Sequence, residues 1–332
     1  MGIAFEDFSA GQVIEGAPIT VSRDELVEFA REFDPQPFHL GEGQAETTFV
    51  GRLIGSGWQT AALGMRLLQR DAFRGNSSMG SPGVTELRWL RPVLPGDSLR
   101  ARIAVEETRP SSSKPDRGFV RFLMTLIDGR GESVMTQAFD VIFARRDAQA
   151  LAPRELETQA ASGSLPEGDD AVPLPFLGDA EIGTAREIGR HRFDAEAIIA
   201  FARRYDPQVM HLDAQAAAHT HFGGLCASGW HTAAVWMRRL HATRGRDAAL
   251  TERNGPVPQL GPSPGFRDMR WLKPVYAGDT LSYACRLIDK RESGSRPGWG
   301  LATHHNTARN QRGEPVFAFT GTVFWQWAPQ SA

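Results

Sequence analysis

The sequence predicts an α+β protein built from two copies of one domain, each an antiparallel sheet wrapped round a central helix. Three observations lead to this prediction. Two long segments of the 332-residue chain repeat each other, each repeat holds one helix that is apolar on most faces, and strand-like segments follow that helix. Because a helix that is apolar on most faces is a buried helix, we expect the strands to enclose it.

The repeat is clearest in three pairs of segments. FDPQPFHL at 33–40 recurs as YDPQVMHL at 205–212, an offset of 172 residues. SGWQTAALGMRLL at 56–68 and SGWHTAAVWMRRL at 228–240 share this offset and are identical at 9 of 13 positions. RWLRPVLPGDSL and RWLKPVYAGDTL begin at residues 88 and 270, so 182 − 172 = 10 extra residues lie between these blocks in the second copy. Two large units indicate a duplicated domain and not a solenoid.

Each copy has its elements in the same order. In the first copy, Ser22 and Glu25 form a capping-box pattern that predicts the start of a helix over 22–33. The DPQ loop follows, and then the apolar helix over 58–68. Strand-like segments occupy 84–93, 98–108, 118–128 and 133–144, with a Gly-Arg-Gly turn between the last two.

The segment between the copies differs from both in composition. Residues 147–177 are rich in Ala, Pro, Gly, Ser and acidic residues, which predicts an exposed linker. We therefore expect a first domain at 1–146 and a second at 178–332.

Composition excludes several classes of protein. Hydrophobic residues make up 41% and charged residues 23% of the chain, as in ordinary globular proteins. A net charge of −2 gives no general attraction to nucleic acid or anionic membranes, and no apolar run is long enough to cross a bilayer. The N-terminus lacks the pattern of a secretory signal, and the two cysteines make no disulfide framework, so we expect a cytoplasmic protein.

The duplicated DPQ loop carries one carboxyl and one imidazole group in each copy. Pro35 disfavours helical geometry at the preceding residue, so Asp34 should stand at a helix end, with His39 on a short turn. Asp206 and His211 repeat this arrangement. A carboxyl and an imidazole that converge can hold a water molecule and transfer protons. The alternative is that each Asp is a turn residue and each His a packing residue.

The start of each apolar helix is a second candidate site. Gly57 and Gly229 lie where free N–H groups of a helix N-terminus can stabilise an oxyanion, or else they serve close packing. Ser56 and Ser228 fit the role of N-caps better than that of nucleophiles.

Four further side chains were considered for a role near these sites. Trp58 and Trp230 fit the core or a pocket wall. His231 either approaches a site or faces solvent. His304 is expected on the surface of a strand.

These segments together resemble the MaoC-like dehydratases, which include the R-specific enoyl-CoA hydratases of the hotdog fold. The similarity covers about residues 4–145 and 178–327. Two departures stand out: both copies have Gln where the family motif has Asn, and the second copy has Val209 where the motif has Pro. The resemblance implies two hotdog domains packed as an intramolecular pseudo-dimer.

The resemblance also implies a reaction and a set of residues. The reaction is reversible addition of water to a 2-enoyl-CoA, giving a 3-hydroxyacyl-CoA, with an acyl-CoA as substrate, no metal and no further cofactor. The double-hotdog chain is also expected to be able to associate with further copies of itself. Catalysis is assigned to Asp34, His39, Asp206 and His211, and oxyanion or substrate binding to Gln36, Ser56, Gly57, Gln208, Ser228 and Gly229.

Two other readings stay open at this point. One is another hotdog enzyme, either a thioesterase or a dehydratase acting on acyl carrier protein. The other is a non-catalytic acyl-CoA-binding protein in which the Asp and His side chains are structural. Both copies retain Asp and His, which favours catalysis over the second alternative.

Overall fold

The fold of the first copy follows the predicted order of elements. A computed structural model describes residues 2–75, 78–148 and 170–329. Ser22 caps the first helix by accepting a hydrogen bond from Glu25 N, and the predicted strand-like segments all form strands. The elements are β1 (Val13–Glu15), β2 (Ile19–Thr20), α1 (Arg23–Phe33), α2 (Pro37–Leu40), α3 (Glu42–Ala45), α4 (Gly57–Asp71), β3 (Gly83–Trp89), β4 (Ser98–Pro110), β5 (Arg117–Asp128) and β6 (Ser133–Ala144).

The second copy repeats this order, with one long helix. Its central helix has 24 residues where α4 has 15, so the ten extra residues mostly extend this helix. The elements are β7 (Ala185–Arg192), α5 (Ala195–Tyr205), α6 (Val209–Leu212), α7 (Ala214–Ala218), α8 (Gly229–Glu252), β8 (Gly265–Trp271), β9 (Thr280–Glu292), β10 (Trp299–Arg309) and β11 (Pro315–Gln326).

All eleven strands of the described residues form one antiparallel sheet. The order is β1-β4-β5-β6-β3-β8-β11-β10-β9-β7, and β2 pairs with β4. The copies join where β3 pairs with β8, with Gly83 opposite Arg270 and Arg88 opposite Gly265. Since Gly83 and Gly265 are equivalent positions, as are Arg88 and Arg270, this pairing is symmetric. The predicted pseudo-dimer is therefore present.

A continuous hydrophobic core spans both copies. It contains Leu63 of α4 and Ala234 of α8, together with inward-facing side chains of both halves of the sheet such as Phe122 and Phe317. Each central helix is thus enclosed by strands, as its apolar circumference predicts.

The end of the predicted linker is packed against the second copy. Residues 149–169 lie outside the described part of the chain. Leu174 and Leu177, however, are buried, and Leu174 N donates to Thr251 Oγ1 at 2.6 Å. The prediction of an exposed segment is therefore wrong for these residues, because both leucines belong to a hydrophobic cluster with Leu287, Ala302 and Trp325 of the second copy.

Candidate active sites

Asp34 stands at the C-terminal end of α1, where the following proline stops the helix. Its backbone N–H still bonds to Ala30 O at 2.9 Å. The carboxylate is buried. Its Oδ1 accepts a hydrogen bond from Gln36 Nε2 at 2.8 Å, and its Oδ2 accepts one from Ser56 Oγ at 2.7 Å. These two donors fix the orientation of the carboxylate.

His39 lies on the one-turn helix α2, which begins only after the DPQ segment. Its Nδ1 is 2.9 Å from Ile54 O. Because a carbonyl oxygen only accepts hydrogen bonds, Nδ1 carries a proton, and Nε2 is the ring nitrogen that can give up or take up a proton. Nε2 lies 3.4 Å from Asp34 Oδ2. The predicted convergence of the carboxyl and imidazole groups is observed.

The second copy reproduces this geometry. Asp206 follows α5, and its Oδ1 and Oδ2 accept hydrogen bonds from Gln208 Nε2 at 2.9 Å and Ser228 Oγ at 2.7 Å. His211 Nδ1 lies 2.7 Å from Cys226 O, and its Nε2 lies 3.5 Å from Asp206 Oδ2. The chain therefore contains two similar candidate sites: site 1 around Asp34 and His39, and site 2 around Asp206 and His211.

The charge state of Asp34 results from opposing effects. Burial raises the pKa of its carboxyl group. The charge and hydrogen bond of His39, together with the hydrogen bonds from Ser56 and Gln36, lower the pKa by more than burial raises it. The pKa of Asp34 therefore lies below its ordinary value, and the carboxylate stays ionised although it is buried.

The glycine at the start of each central helix is required by a tryptophan. A Cβ on Gly57 would lie 2.7 Å from Trp89 Cε2, and one on Gly229 would lie 2.3 Å from Trp271 Cε2. The two indoles donate to the glycine carbonyl oxygens at 2.9 and 3.1 Å. Close packing thus explains the glycine, and it does not exclude an oxyanion role: in the described residues no hydrogen bond within the protein uses the Gly57 or Gly229 N–H.

The predicted binding residues divide into two groups. Gln36, Gly57, Gln208 and Gly229 line cavities beside the Asp and His side chains. Ser56 and Ser228 do not line them. Each serine caps its helix by accepting from the N–H two residues later, and donates its hydroxyl proton to the Asp. The serines therefore position the carboxylates from behind.

Each cavity is built by both copies. The cavity of site 1 has a volume of about 500 Å³ and that of site 2 about 490 Å³. Besides the DPQ loop, site 1 is lined by Trp58 and Trp89 of its own copy, and site 2 by Trp230 and Trp271. The opposite copy supplies site 1 with Trp236, Met237, Leu240, Arg244, His304, Asn306 and Phe319, and site 2 with Met65, Leu68, Phe73, Gln137, Phe139 and Val141.

Two histidines lie elsewhere than expected. His231 neither reaches a cavity nor faces solvent. It is buried and stacks on Phe201, with ring centroids 4.6 Å apart. The prediction that His304 lies on the strand surface is wrong, because His304 is buried, stacks on Trp325 and lines site 1.

A comparison of the two copies could have revealed this wall of site 1. At the offset of 182, His304 aligns with Phe122 and Asn306 with Met124, and both of these first-copy residues are buried. A residue that is polar in one copy and apolar at the equivalent core position of the other indicates a candidate site. A comparison restricted to motifs that both copies share does not find such residues.

Neither a metal cluster nor a membrane-spanning helix is found in the described ranges. There, no group of three or more His, Cys, Asp or Glu side chains is arranged to hold a metal ion. No described helix is both long and apolar enough to cross a bilayer.

Known proteins share both the sequence pattern and the architecture. A sequence model of the MaoC like domain matches residues 7–118 and 179–298. The uncharacterized protein YdeM of Bacillus subtilis is 27% identical over 140 residues, which cover 42% of this chain and 98% of YdeM. Mesaconyl-CoA hydratase of Cereibacter sphaeroides is 26% identical over 253 residues, 72% of this chain and 69% of the hydratase.

Solved structures match the whole chain. A MaoC domain protein from Chloroflexus aurantiacus superposes with a TM-score of 0.78 at 18% identity, covering 99% of this chain and 98% of its own. A Mycobacterium tuberculosis protein with a double hotdog fold gives a TM-score of 0.67 at 16% identity and covers 98% of both chains. With its duplicated sequence and its two joined sheets, the chain belongs to the MaoC-like domain family and has the double hotdog fold.

Proposed function

We propose that the protein adds water reversibly to the C2–C3 double bond of a 2-enoyl-CoA to give a 3-hydroxyacyl-CoA. One observation carries the proposal: in both copies an ionisable carboxyl and an imidazole lie 3.4 or 3.5 Å apart beside a cavity that an acyl group can occupy. The relative from C. sphaeroides is named as a hydratase of a CoA thioester, which supports this class of reaction.

The residues of site 1 fit the proton transfers that hydration needs. The ionised Asp34 accepts a proton from water as the water oxygen bonds to C3. Protonated His39 donates its Nε2 proton to C2, and the negative charge that develops on the thioester oxygen is stabilised by the free Gly57 N–H. The proton then returns from Asp34 to His39 Nε2 across their 3.4 Å contact. Water is consumed and both groups recover their starting states.

The stereochemistry of the proposal follows the resemblance to the R-specific hydratases. We expect the 3-hydroxyacyl product in the R configuration, as that resemblance implies, and syn addition of water, because Asp and His act from one face of the substrate. The test is hydration of crotonyl-CoA. The reaction is monitored by the loss of absorbance of the enoyl group conjugated to the thioester, and the configuration of the product is determined by chiral analysis. Release of free CoA without a hydroxyacyl product would instead indicate a thioesterase.

A further inference from the structure

The cavity of site 1 has a polar wall that site 2 lacks. This wall, the Arg244 cluster, consists of Arg244 on α8 with His304 and Asn306 on β10. The equivalent residues of the first copy, on the side of site 2, are Ala72, Phe122 and Met124, which are buried and apolar. The two sites therefore share their catalytic residues but differ in the surroundings of the acyl group.

In the described part of the chain, Arg244 has no directly contacting counter-ion, although the charges of Asp247 and Asp34 favour its charged form from a distance. In the described residues no carboxylate lies within 4.0 Å of its guanidinium group, and no hydrogen bond is made by it. The nearby Asp247 on the same helix is engaged by both terminal nitrogens of Arg186, one of them at 2.8 Å. The contact that Arg244 does make is with the Trp325 ring, 5.7 Å from the centroid. Arg244 is half-buried, and a half-buried guanidinium without a directly contacting carboxylate is stabilised when a ligand supplies the negative charge.

The rest of the cluster is also incompletely paired. His304 stacks on the same Trp325, with ring centroids 6.2 Å apart, and it lines the same cavity as Arg244, close enough to be affected by its charge. Burial lowers the pKa of His304 to about 3, and its neutral ring offers one N–H donor. Asn306 Nδ2 donates to His304 O at 3.3 Å, while its Oδ1 has no partner in the protein. Polar groups placed in this way at the edge of a cavity are suited to a polar ligand.

We propose that site 1 accepts a 2-enoyl-CoA whose acyl group carries a carboxylate, bound by Arg244, whereas site 2 accepts neutral, apolar acyl groups. The planar guanidinium matches a carboxylate in a two-pronged arrangement, and its charge would be neutralised on binding. The first copy lines site 2 with apolar side chains such as Met65, Leu68 and Phe139 and with the neutral amide of Gln137, so it places no positive charge there to bind a carboxylate. This inference rests on the proposed function, because it names the substrate class of the same sites.

The activity test first confines turnover to one site and then replaces Arg244 in the wall of site 1. With Asp206→Asn, turnover is confined to site 1, and with Asp34→Asn to site 2. The substrates are trans-2-hexenoyl-CoA and the CoA monothioester of trans-2-hexenedioic acid, which differ at the end of the acyl chain. In the Asp206→Asn protein, Arg244→Gln should lower kcat/KM for the carboxylate substrate by roughly 10- to 100-fold relative to kcat/KM for the neutral substrate, the size of a lost hydrogen bond to a charged group.

Three comparisons control this test. Arg244→Lys, which keeps the charge, should recover part of the lost preference. Arg253→Gln removes an exposed arginine just after α8 and should change neither substrate. In the Asp34→Asn protein, Arg244→Gln should have no effect, because Arg244 does not line site 2.

A binding measurement distinguishes failure of this inference from failure of the proposed function. Calorimetric titration with adipyl-CoA and hexanoyl-CoA requires no turnover, and adipyl-CoA should lose one class of sites in Arg244→Gln. If hexenoyl-CoA is hydrated but the carboxylate substrate is not preferred at site 1, or the preference survives Arg244→Gln, the inference is wrong and the hydratase assignment stands. If neither substrate is hydrated by the unchanged protein, the hydratase assignment fails, and the titration alone decides whether Arg244 binds a carboxylate.

Discussion

Glu32 and Arg204 occupy the same position in the two copies, 172 residues apart, and their side chains meet across the interface at 3.2 Å. The aromatic pairs beside them keep the symmetry: Phe29 lies 5.6 Å from Tyr205 and Phe33 lies 5.7 Å from Phe201. In a dimer of identical chains, the residues at these two positions would be identical, so two like charges would face each other. Fusion of the copies has therefore allowed an ion pair where a symmetric dimer would have repulsion.

We expect this ion pair to contribute little to stability. The side chains of Arg204 and Glu32 are 31% and 48% exposed, and exposed pairs contribute about 0.2–1 kcal/mol. Urea unfolding of Glu32→Gln, Arg204→Met and the double variant gives the coupling free energy. The coupling should decrease as salt is added. No coupling even at low salt would show that the pair is an incidental contact.

If the proposed function is right, replacing Asp34 or Asp206 by asparagine should inactivate one site. The amide keeps the shape of the carboxylate but cannot take a proton, so Asp34→Asn and Asp206→Asn should each reduce turnover at their own site by roughly a hundredfold or more. Each single variant then keeps the activity of the other site, and only the double variant is inactive with every substrate. Full activity in the double variant would show that the DPQ loops are not the active sites.

Ser56→Ala should affect catalysis through Asp34. Removing the hydroxyl takes away one of the donors that lower the pKa of this carboxyl group, so the acidic limb of the pH–rate profile should move to higher pH. We expect kcat at site 1 to fall roughly tenfold, the scale of a hydrogen bond to a charged group. The measurement is made with Asp206→Asn present, so that site 2 is silent.

Ser22→Ala is the matched control for this experiment. Ser22 caps α1 by accepting from Glu25 N at 3.1 Å, so both alanine variants lose a helix cap, at a cost of about 1 kcal/mol in stability. Ser22 does not contact Asp34, and its loss should leave the pH–rate profile in place. An equal shift in both variants would mean that the effect of Ser56 is a general loss of stability.

His231 should make the protein less stable in acid. Burial lowers the pKa of its imidazole in the folded state to about 3, from an ordinary value of 6.5. As pH falls from about 6.5 toward 3, the unfolded chain binds a proton that the folded protein does not, so stability decreases by at most about 1.4 kcal/mol per pH unit. His231→Gln, with the residue that the first copy has at this position, removes this dependence.

The free energy of unfolding should therefore fall less steeply with acid in His231→Gln than in the unchanged protein. Urea unfolding between pH 7 and pH 4 measures the difference in slope, which is independent of any loss of packing on Phe201. His219→Gln changes an exposed histidine and should leave the slope as it is. Parallel curves for the unchanged protein and His231→Gln would contradict the buried, neutral imidazole.

The sequence predicts the parts of the fold that depend on local pattern. The N-cap at Ser22, the alternation in 117–128 and 133–144, and the proline after Asp34 each act over a few residues, and the structure agrees with them. The other half of the predicted capping box is not observed, because the Glu25 carboxylate accepts from Arg66. The convergence of Asp34 with His39 was predictable for the same reason, since five residues and two prolines leave few conformations open.

The walls of the sites were not predictable in this way. Arg244 lies more than 200 residues from His39 in the sequence, and the packing of the two copies, joined where β3 pairs with β8, brings its copy across site 1. The packing of Leu174 on the extended helix α8 likewise depends on a contact between distant segments. Local pattern contains no information on either contact, because both are set by the arrangement of the two copies.

The symmetric pairing of β3 with β8 has a consequence for a chain cut between its halves. Two copies of the first half could pair through β3 in the register already present, Gly83 against Arg88, because Arg88 is equivalent to Arg270. In such a pair, Asp34 and His39 would face Phe122 and Met124 in place of His304 and Asn306. Asp34 and His39 would be unchanged, but the cavity wall that contacts the acyl group would consist of different side chains, so we expect a different acyl group to be preferred. Each site therefore takes its Asp and His from one copy and part of the wall that contacts the acyl group from the other.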